Sequence, residues 1–219
     1  MLIDLKLDGK TVIVVGGGSE GYRKTRNFVD LGATIRVVSK DFSSSIRELA
    51  EQKKVALVKT EIQDAKAFVN TLNPKPDILL AVTNDSKLNS DLVKAAKAAG
   101  SMVYAVDNPA LSDFILPAVT KVGDVKIAVS TSGKSPAMAK TLRERIEKMI
   151  TREDLLEIQL QSYMRSVLKE QVSDPKVRSE LLYEILNSDN IKQVLKRGKL
   201  CEAQEIAMKL ILEKGGKVS

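Results

Sequence analysis

Histidine and tryptophan are absent from this 219-residue chain, and there is one cysteine, Cys201. Without histidine the chain lacks the commonest metal ligand and the commonest general base near neutral pH. A proton transfer then falls to a carboxylate, a lysine, a tyrosine or the substrate itself. One cysteine excludes an internal disulfide framework and every Cys-x-x-Cys metal or redox motif. Aromatic residues make up 4% of the chain, too few to interleave with basic side chains as nucleic-acid surfaces require. The net charge of +7 therefore suits a small polyanionic ligand or a merely soluble basic surface, with no nucleic acid expected. No apolar run approaches the ~20 residues of a membrane-spanning helix. The opening Met-Leu-Ile-Asp-Leu-Lys-Leu has acid where a secretory signal is basic, so a cytoplasmic protein with no membrane partner is expected.

What is present is a globular composition, 43% hydrophobic, in a chain long enough for one domain of about 100–150 residues and a smaller part. Residues 11–21 carry the strongest signal. Five β-branched residues run into a turn spaced Gly16-x-Gly18-x-x-Gly21, and a helical stretch follows over residues 20–31. In a dinucleotide-binding unit the first glycine permits the tight turn and the second lets a pyrophosphate approach the backbone. The third lets helix and strand pack closely. The helix start, at Ser19 and Glu20, adds N–H groups and a positive dipole end for phosphates.

The first hundred residues alternate strand and helix. Strands are expected at 11–15, 34–39, 55–58, 77–82 and 102–106, and helices at 20–31, 43–52, 65–72 and 86–99. Such alternation predicts an α/β fold, a Rossmann-like parallel sheet with right-handed crossovers. Two further strands, at 114–122 and 125–130, join through Gly123-Asp124, a hairpin turn. A helix then opens at Ser135 with Pro136 in its first turn. Beyond Thr151 the apolar spacing is helical only. Three parts result: a Rossmann domain over residues 1–115, a small β-plus-helix segment over 116–150, and a helical C-terminal domain over 151–219.

In a parallel sheet of this kind ligands bind outside the carboxyl ends of the strands. At the end of the second strand, Ser39, Lys40 and Asp41 are placed to read an adenosine ribose. Asp41 favours NAD, Lys40 suits a 2′-phosphate, and both also fit as solvated loop charges. Thr83 and Asn84 end the fourth strand beside the cofactor, where Asn84 or Asp85 can also cap the next helix. Asp107 ends the fifth strand. It either makes an Asx turn before Pro109 or, in a chain without histidine, moves a proton. The candidate cofactor-binding residues are Gly16, Gly18, Ser19, Glu20, Ser39, Lys40, Asp41, Thr83 and Asn84.

Gly133-Lys134-Ser135 is not a nucleotide-triphosphate loop, because Ala128 stands where that motif needs a glycine. Ser130, Thr131, Ser132, Lys134 and Ser135, with the next helix start, instead form a cradle for carboxylates. A short-chain dehydrogenase is excluded, since no tyrosine is followed four residues later by lysine.

Together these motifs resemble the precorrin-2 dehydrogenase family, which includes dehydrogenase–ferrochelatases and the N-terminal part of siroheme synthases. The likeness runs through Val-Val-Gly-Gly-Gly at 14–18 with Arg23-Lys24, Leu-Gly-Ala at 31–33, Ala-Val-Thr-Asn-Asp at 81–85 and Val-Asp-Asn-Pro at 106–109. It continues through Phe-Ile-Leu-Pro-Ala at 114–118, Val-Ser-Thr-Ser-Gly-Lys-Ser-Pro at 129–136 and Arg143. Gly21 stands where the family often has alanine, a difference expected to be harmless. The resemblance implies NAD-dependent oxidation of precorrin-2 to sirohydrochlorin in siroheme biosynthesis, with Asp107 catalytic. It also implies a homodimer formed through residues 116–150, and Fe2+ as a second substrate in those relatives that insert iron. The competing class is an NAD-binding regulatory module without catalysis, which fold alone does not separate from an enzyme.

Overall fold

Every residue of the β-branched run Thr11 to Val15 is buried, so this strand, β1, must lie inside a sheet covered on both faces. In the computed structural model, which describes residues 2–213, β1 (Thr11–Val15) pairs on one side with β2 (Thr34–Ser39), and β2 with β3 (Ala56–Lys59). On its other side it pairs with β4 (Ile78–Ala81), and β4 with β5 (Met102–Ala105). All four pairings are parallel, and the strand order is β3-β2-β1-β4-β5. The crossovers are α1 (Ser19–Thr25), α2 (Ser44–Glu51), α3 (Ala65–Thr71) and α4 (Ser86–Ala98).

Alternate residues of one strand serve opposite layers. Ile13, Leu79 and Val103 pack with Leu92 and Ala96 of α4. Val12, Val14, Val37 and Leu80 pack with Phe28 and with Ile46 of α2. The chain runs outward from β1 to β3 and then crosses to β4, so the order reverses between β1 and β4. A crevice at the carboxyl ends of those two strands is the natural ligand position.

Two expected elements are corrected. The helix expected over residues 20–31 stops at Thr25, and turns follow to Gly32. Side chains take over its last carbonyls: Thr25 Oγ1 donates to Gly21 O at 2.7 Å, and Asn27 Nδ2 donates to Arg23 O and Lys24 O. Such local bonds compete with the helical ladder, and Asp30, at φ +62°, leaves helical geometry altogether. The strand expected over 114–122 begins only at Ala118. Phe114 instead returns to β5, its ring centroid 5.9 Å from that of Tyr104.

A single 3-10 turn, Pro109–Leu111, leads the chain back along the sheet edge. There side chains occupy the outer N–H groups of β5: Val103 N–H donates to Asp113 Oδ2 (3.0 Å) and Ala105 N–H to Ser112 Oγ (2.9 Å). Sealing an edge strand this way prevents unwanted strand addition.

The chain divides into two compact units, one to Leu116 and one from Pro117. The second contains an antiparallel hairpin, β6 (Ala118–Val122) and β7 (Val125–Val129), and then α5 (Pro136–Glu147). Four helices follow: α6 (Arg152–Gln171), α7 (Pro175–Asn187), α8 (Asp189–Lys196) and α9 (Leu200–Glu213). The expected segments 116–150 and 151–219 thus share this unit, and residues 214–219 lie outside the described residues. Gly123 turns the hairpin at φ +57°, where an added Cβ would lie 2.9 Å from Leu155. Leu160, Met164 and Leu168 of α6 are completely buried against the other three helices. Thr151 and Asp154 form a capping box at the start of α6, which satisfies two orphan donors reciprocally.

Candidate active site

The glycine turn after β1 holds four glycines with two different reasons for being glycine. Gly16 sits at φ +130°, and a Cβ there would lie 2.4 Å from Val82 O at the end of β4. A Cβ on Gly17 would lie 2.2 Å from Asp41 O, and one on Gly21 2.0 Å from Gly16 O. The protein's own backbone therefore excludes side chains at all three. The expectation that alanine at position 21 would be harmless is corrected, since its Cβ does not fit here without a shift of the turn. The role of Gly17 was not read from the spacing, because it follows from the loop after β2 resting on the turn.

Gly18 is the opposite case. Its φ of −81° suits any residue, and a Cβ there would meet nothing within 4 Å. Nothing in the protein requires this glycine, so the open space beside it fits a pyrophosphate lying close to the backbone. The first helical bond of α1 runs from Tyr22 N–H to Gly18 O at 2.9 Å, so the N–H groups before it are left over by the helix. These features fit a dinucleotide.

Ser19 is exposed beside that space, whereas Glu20 is engaged. Its carboxylate accepts from Arg23 Nη2 at 2.7 Å and lies 3.5 Å from Lys24 Nζ. Burial pushes the Glu20 carboxyl up, but the bond and charge of Arg23 and the charge of Lys24 outweigh it, and its pKa falls below the usual value. Lys24 Nζ also stands 4.7 Å from the centroid of the Tyr104 ring. Glu20 thus pairs with two cations beside the turn and leaves one net positive charge there. At the end of β2, Ser39 is half-buried, Asp41 is exposed, and Lys40 Nζ is 3.4 Å from Glu61 Oε1.

The carboxyl ends of β4 and β5 are joined by a residue that sequence reading missed. Asn89, on α4, is completely buried. Its Oδ1 accepts from Thr83 N–H (3.0 Å) and Thr83 Oγ1 (2.7 Å). Its Nδ2 donates to Thr83 O (3.0 Å) and to Asp107 Oδ2 (3.3 Å). Asn84 is exposed, and the helix cap is Asp85, whose Oδ1 accepts from Leu88 N–H at 3.0 Å. The available signal for Asn89 was its helical spacing with Leu92, Val93 and Ala96, which marks a polar residue on a buried face.

Asp107 is exposed just past β5. Partial burial raises its carboxyl, but hydrogen bonds from Ser86 and Asn89 and from its own backbone outweigh this and hold its pKa below the ordinary aspartate value. It is therefore a carboxylate at neutral pH, able to accept a proton. Among the described residues no three His, Cys, Asp or Glu side chains stand together as a metal site.

In the second unit Ser132 (φ +52°) and Gly133 (φ +80°) make a tight turn before α5. Ser132 N–H donates to Ser130 Oγ (3.2 Å), Ser135 N–H to Thr131 Oγ1 (3.0 Å) and Met138 N–H to Ser135 Oγ (3.3 Å). Each hydroxyl accepts a backbone N–H and keeps its own O–H to donate, as a carboxylate requires. Lys134 is exposed on the same loop. Arg143 is held by Glu147 at 2.5 Å and Glu144 at 3.0 Å.

A family described as NAD(P)-binding matches residues 3–118, and one described as sirohaem biosynthesis protein, central, matches residues 122–149. The chain is similar to the precorrin-2 dehydrogenase of Methanosarcina barkeri, 32% identical over 188 residues, which are 85% of this chain and 83% of that protein. It is also 32% identical over 200 residues to a siroheme synthase of Pseudomonas aeruginosa, covering 91% of this chain but only 42% of that longer protein. Among solved structures, SirC, a precorrin-2 dehydrogenase, shares the fold with a TM-score of 0.74 at 24% identity, covering 95% of this chain and 99% of that one. No helix among the described residues is long and apolar enough to cross a membrane.

Proposed function

The chain belongs to the precorrin-2 dehydrogenase and siroheme synthase family, and from that premise we propose that it oxidises precorrin-2 to sirohydrochlorin with NAD. This is a step of siroheme biosynthesis. The observation that carries the reading is the pairing, on one sheet edge, of an open turn at Gly18 with an ionised carboxylate at Asp107. A regulatory nucleotide-binding module has no use for the second.

NAD, when bound, accepts a hydride from a ring carbon of the substrate. Gly16 and Gly17 shape the turn, Gly18 admits the pyrophosphate, and Ser19 borders it. Ser39 and Asp41 face the adenosine ribose, and Thr83 and Asn84 line the crevice at the end of β4. Asp107 takes the proton that the substrate loses with the hydride and passes it to solvent. The protein's contribution is orientation and charge rather than covalent catalysis. The hydroxyls of Ser130, Thr131 and Ser135, with Ser132 and Lys134, bind carboxylates of the tetrapyrrole.

The proposal includes a homodimer in the cytoplasm, with the interface in residues 116–150. Support comes from the hairpin, whose outer face presents Val119, half-exposed, opposite the exposed Ala128. A two-stranded hairpin is marginal alone. Fe2+ enters only as a second substrate, taken by the pyrrole nitrogens of the product beside Asp107.

The test is incubation of the protein with precorrin-2 and either NAD or NADP, following tetrapyrrole absorbance and NADH. Sirohydrochlorin and NADH formed together are the expected result. Tight NAD binding without turnover would replace the reading with a regulatory module. Adding Fe2+ to the completed reaction tests insertion by the appearance of the siroheme spectrum.

A further inference from the structure

Three of the four hydrogen bonds of the buried Asn89 amide go to Thr83, and those alone would close the loop between β4 and α4. The fourth reaches a different strand end, at Asp107. The orientation of the amide is settled by chemistry: Thr83 N–H can only donate, so the oxygen faces it and the nitrogen faces Asp107. With all its donors and acceptors engaged, the amide has no alternative arrangement in this pocket.

We propose that Asn89 is a positioning residue for the oxidation: it ties the end of β4 to the end of β5 and fixes the Asp107 carboxylate in the orientation from which it takes the substrate proton. The proposal rests on the dehydrogenase reading. Ser86, one turn earlier on α4, supplies the second hold on the same carboxylate. The charged neighbours at the start of α4 are occupied elsewhere. Asp85 caps Leu88, and Lys87 pairs with Asp91 at 3.0 Å. One buried side chain thereby joins the crevice wall to the proton acceptor, with Ser86 as the second hold on the latter.

The experiment is a double-mutant cycle, read as kcat at saturating NAD. Loss of a hydrogen bond to a charged group costs about tenfold or more in rate, so Asn89→Ala lowers kcat by about that factor in the native background. In an Asp107→Asn background the same change costs less than about twofold, because its route of action is already gone. Ser86→Ala, at an exposed helical position where alanine is the better helix former, behaves the same way with a smaller loss. Should Asn89→Ala fail to fold, Asn89→Leu, which keeps the branched shape and adds no charge beside Asp107, takes its place in the cycle. Equal losses in both backgrounds would reduce Asn89 to a structural residue and overturn the proposal. A second reading is the NMR titration of the Asp107 carboxyl in the protein without substrate. Removing a donor to the charged form raises its pKa, and an unchanged titration in Asn89→Ala overturns the proposal as well, whatever Ser86→Ala does. Because the titration needs no turnover, failure of the reaction and failure of the Asn89 hold are separate results.

Discussion

The carbonyl oxygen of Asp41 lies 2.2 Å from the point where a Cβ on Gly17 would stand, so the loop after β2 rests directly on the turn after β1. Ser43 N–H extends the same contact by donating to Gly17 O at 2.8 Å. The segment proposed to read the ribose and the turn proposed to hold the pyrophosphate are thereby packed directly on each other. Adjacent glycines in that edge then have opposite sensitivities.

Gly17→Ala is expected to lower stability by about 1–3 kcal/mol, the usual cost of overpacking, because the opposing atom is backbone and cannot rotate away. Gly18→Val is expected to leave the protein folded, with at most a small loss for a poorer helix cap, and to abolish NAD binding, since its side chain enters space that the surrounding protein leaves open. Thermal melts paired with calorimetric NAD titration check both. A Gly18→Val protein that binds NAD normally would remove the pyrophosphate from this turn.

Much of this edge was legible in the chain. β-branched runs become buried strands because such side chains pack on a pleated surface, and the turn glycines announce the crevice. Asp107 stood out because no histidine competes with it. Three features were hidden, two because they depend on tertiary partners and one because local side-chain bonds override the helical pattern. Gly17 is a glycine on account of Asp41, twenty-four residues away in sequence. α1 ends early because Thr25 and Asn27 turn their side chains onto its carbonyls. Asn89 acts through Asp107, on a strand end that only the fold brings to it.

Asp107→Asn is expected to lower turnover by about 10²–10⁴-fold, the usual contribution of a general base, with little change in NAD affinity. The sign of the pH dependence follows from its lowered pKa. The carboxylate is the active form, and it persists until pH falls below the ordinary aspartate range. No acid limb from this group is therefore expected between about pH 5 and 7. A single-proton loss of rate inside that window would assign the base elsewhere.

The outer face of the hairpin carries Val119 opposite Ala128, flanked by Lys121 and Lys126. Val119→Lys places a further positive charge beside Lys121 and Lys126 in the proposed interface, where a buried charge without an opposite partner is strongly unfavourable. The native chain is expected to scatter light as a dimer at micromolar concentration, and the variant as a monomer with its secondary structure intact. A native monomer of 24.0 kDa would end the dimer proposal.

Cofactor choice is expected to depend on Lys40. Its ammonium lies 3.4 Å from Glu61 Oε1, so its charge is partly cancelled before any 2′-phosphate could use it. Asp41, exposed on the same loop, would repel that phosphate further. NAD is therefore expected to bind more tightly than NADP. Glu61→Gln releases Lys40 without altering the loop, and should strengthen NADP binding while leaving NAD binding unchanged. An exposed pair is worth about 0–1 kcal/mol, so the gain should be up to about fivefold and should shrink as salt is added. An unchanged NADP affinity in Glu61→Gln would mean that Lys40 never meets the 2′ position, and discrimination would then rest with Asp41 alone.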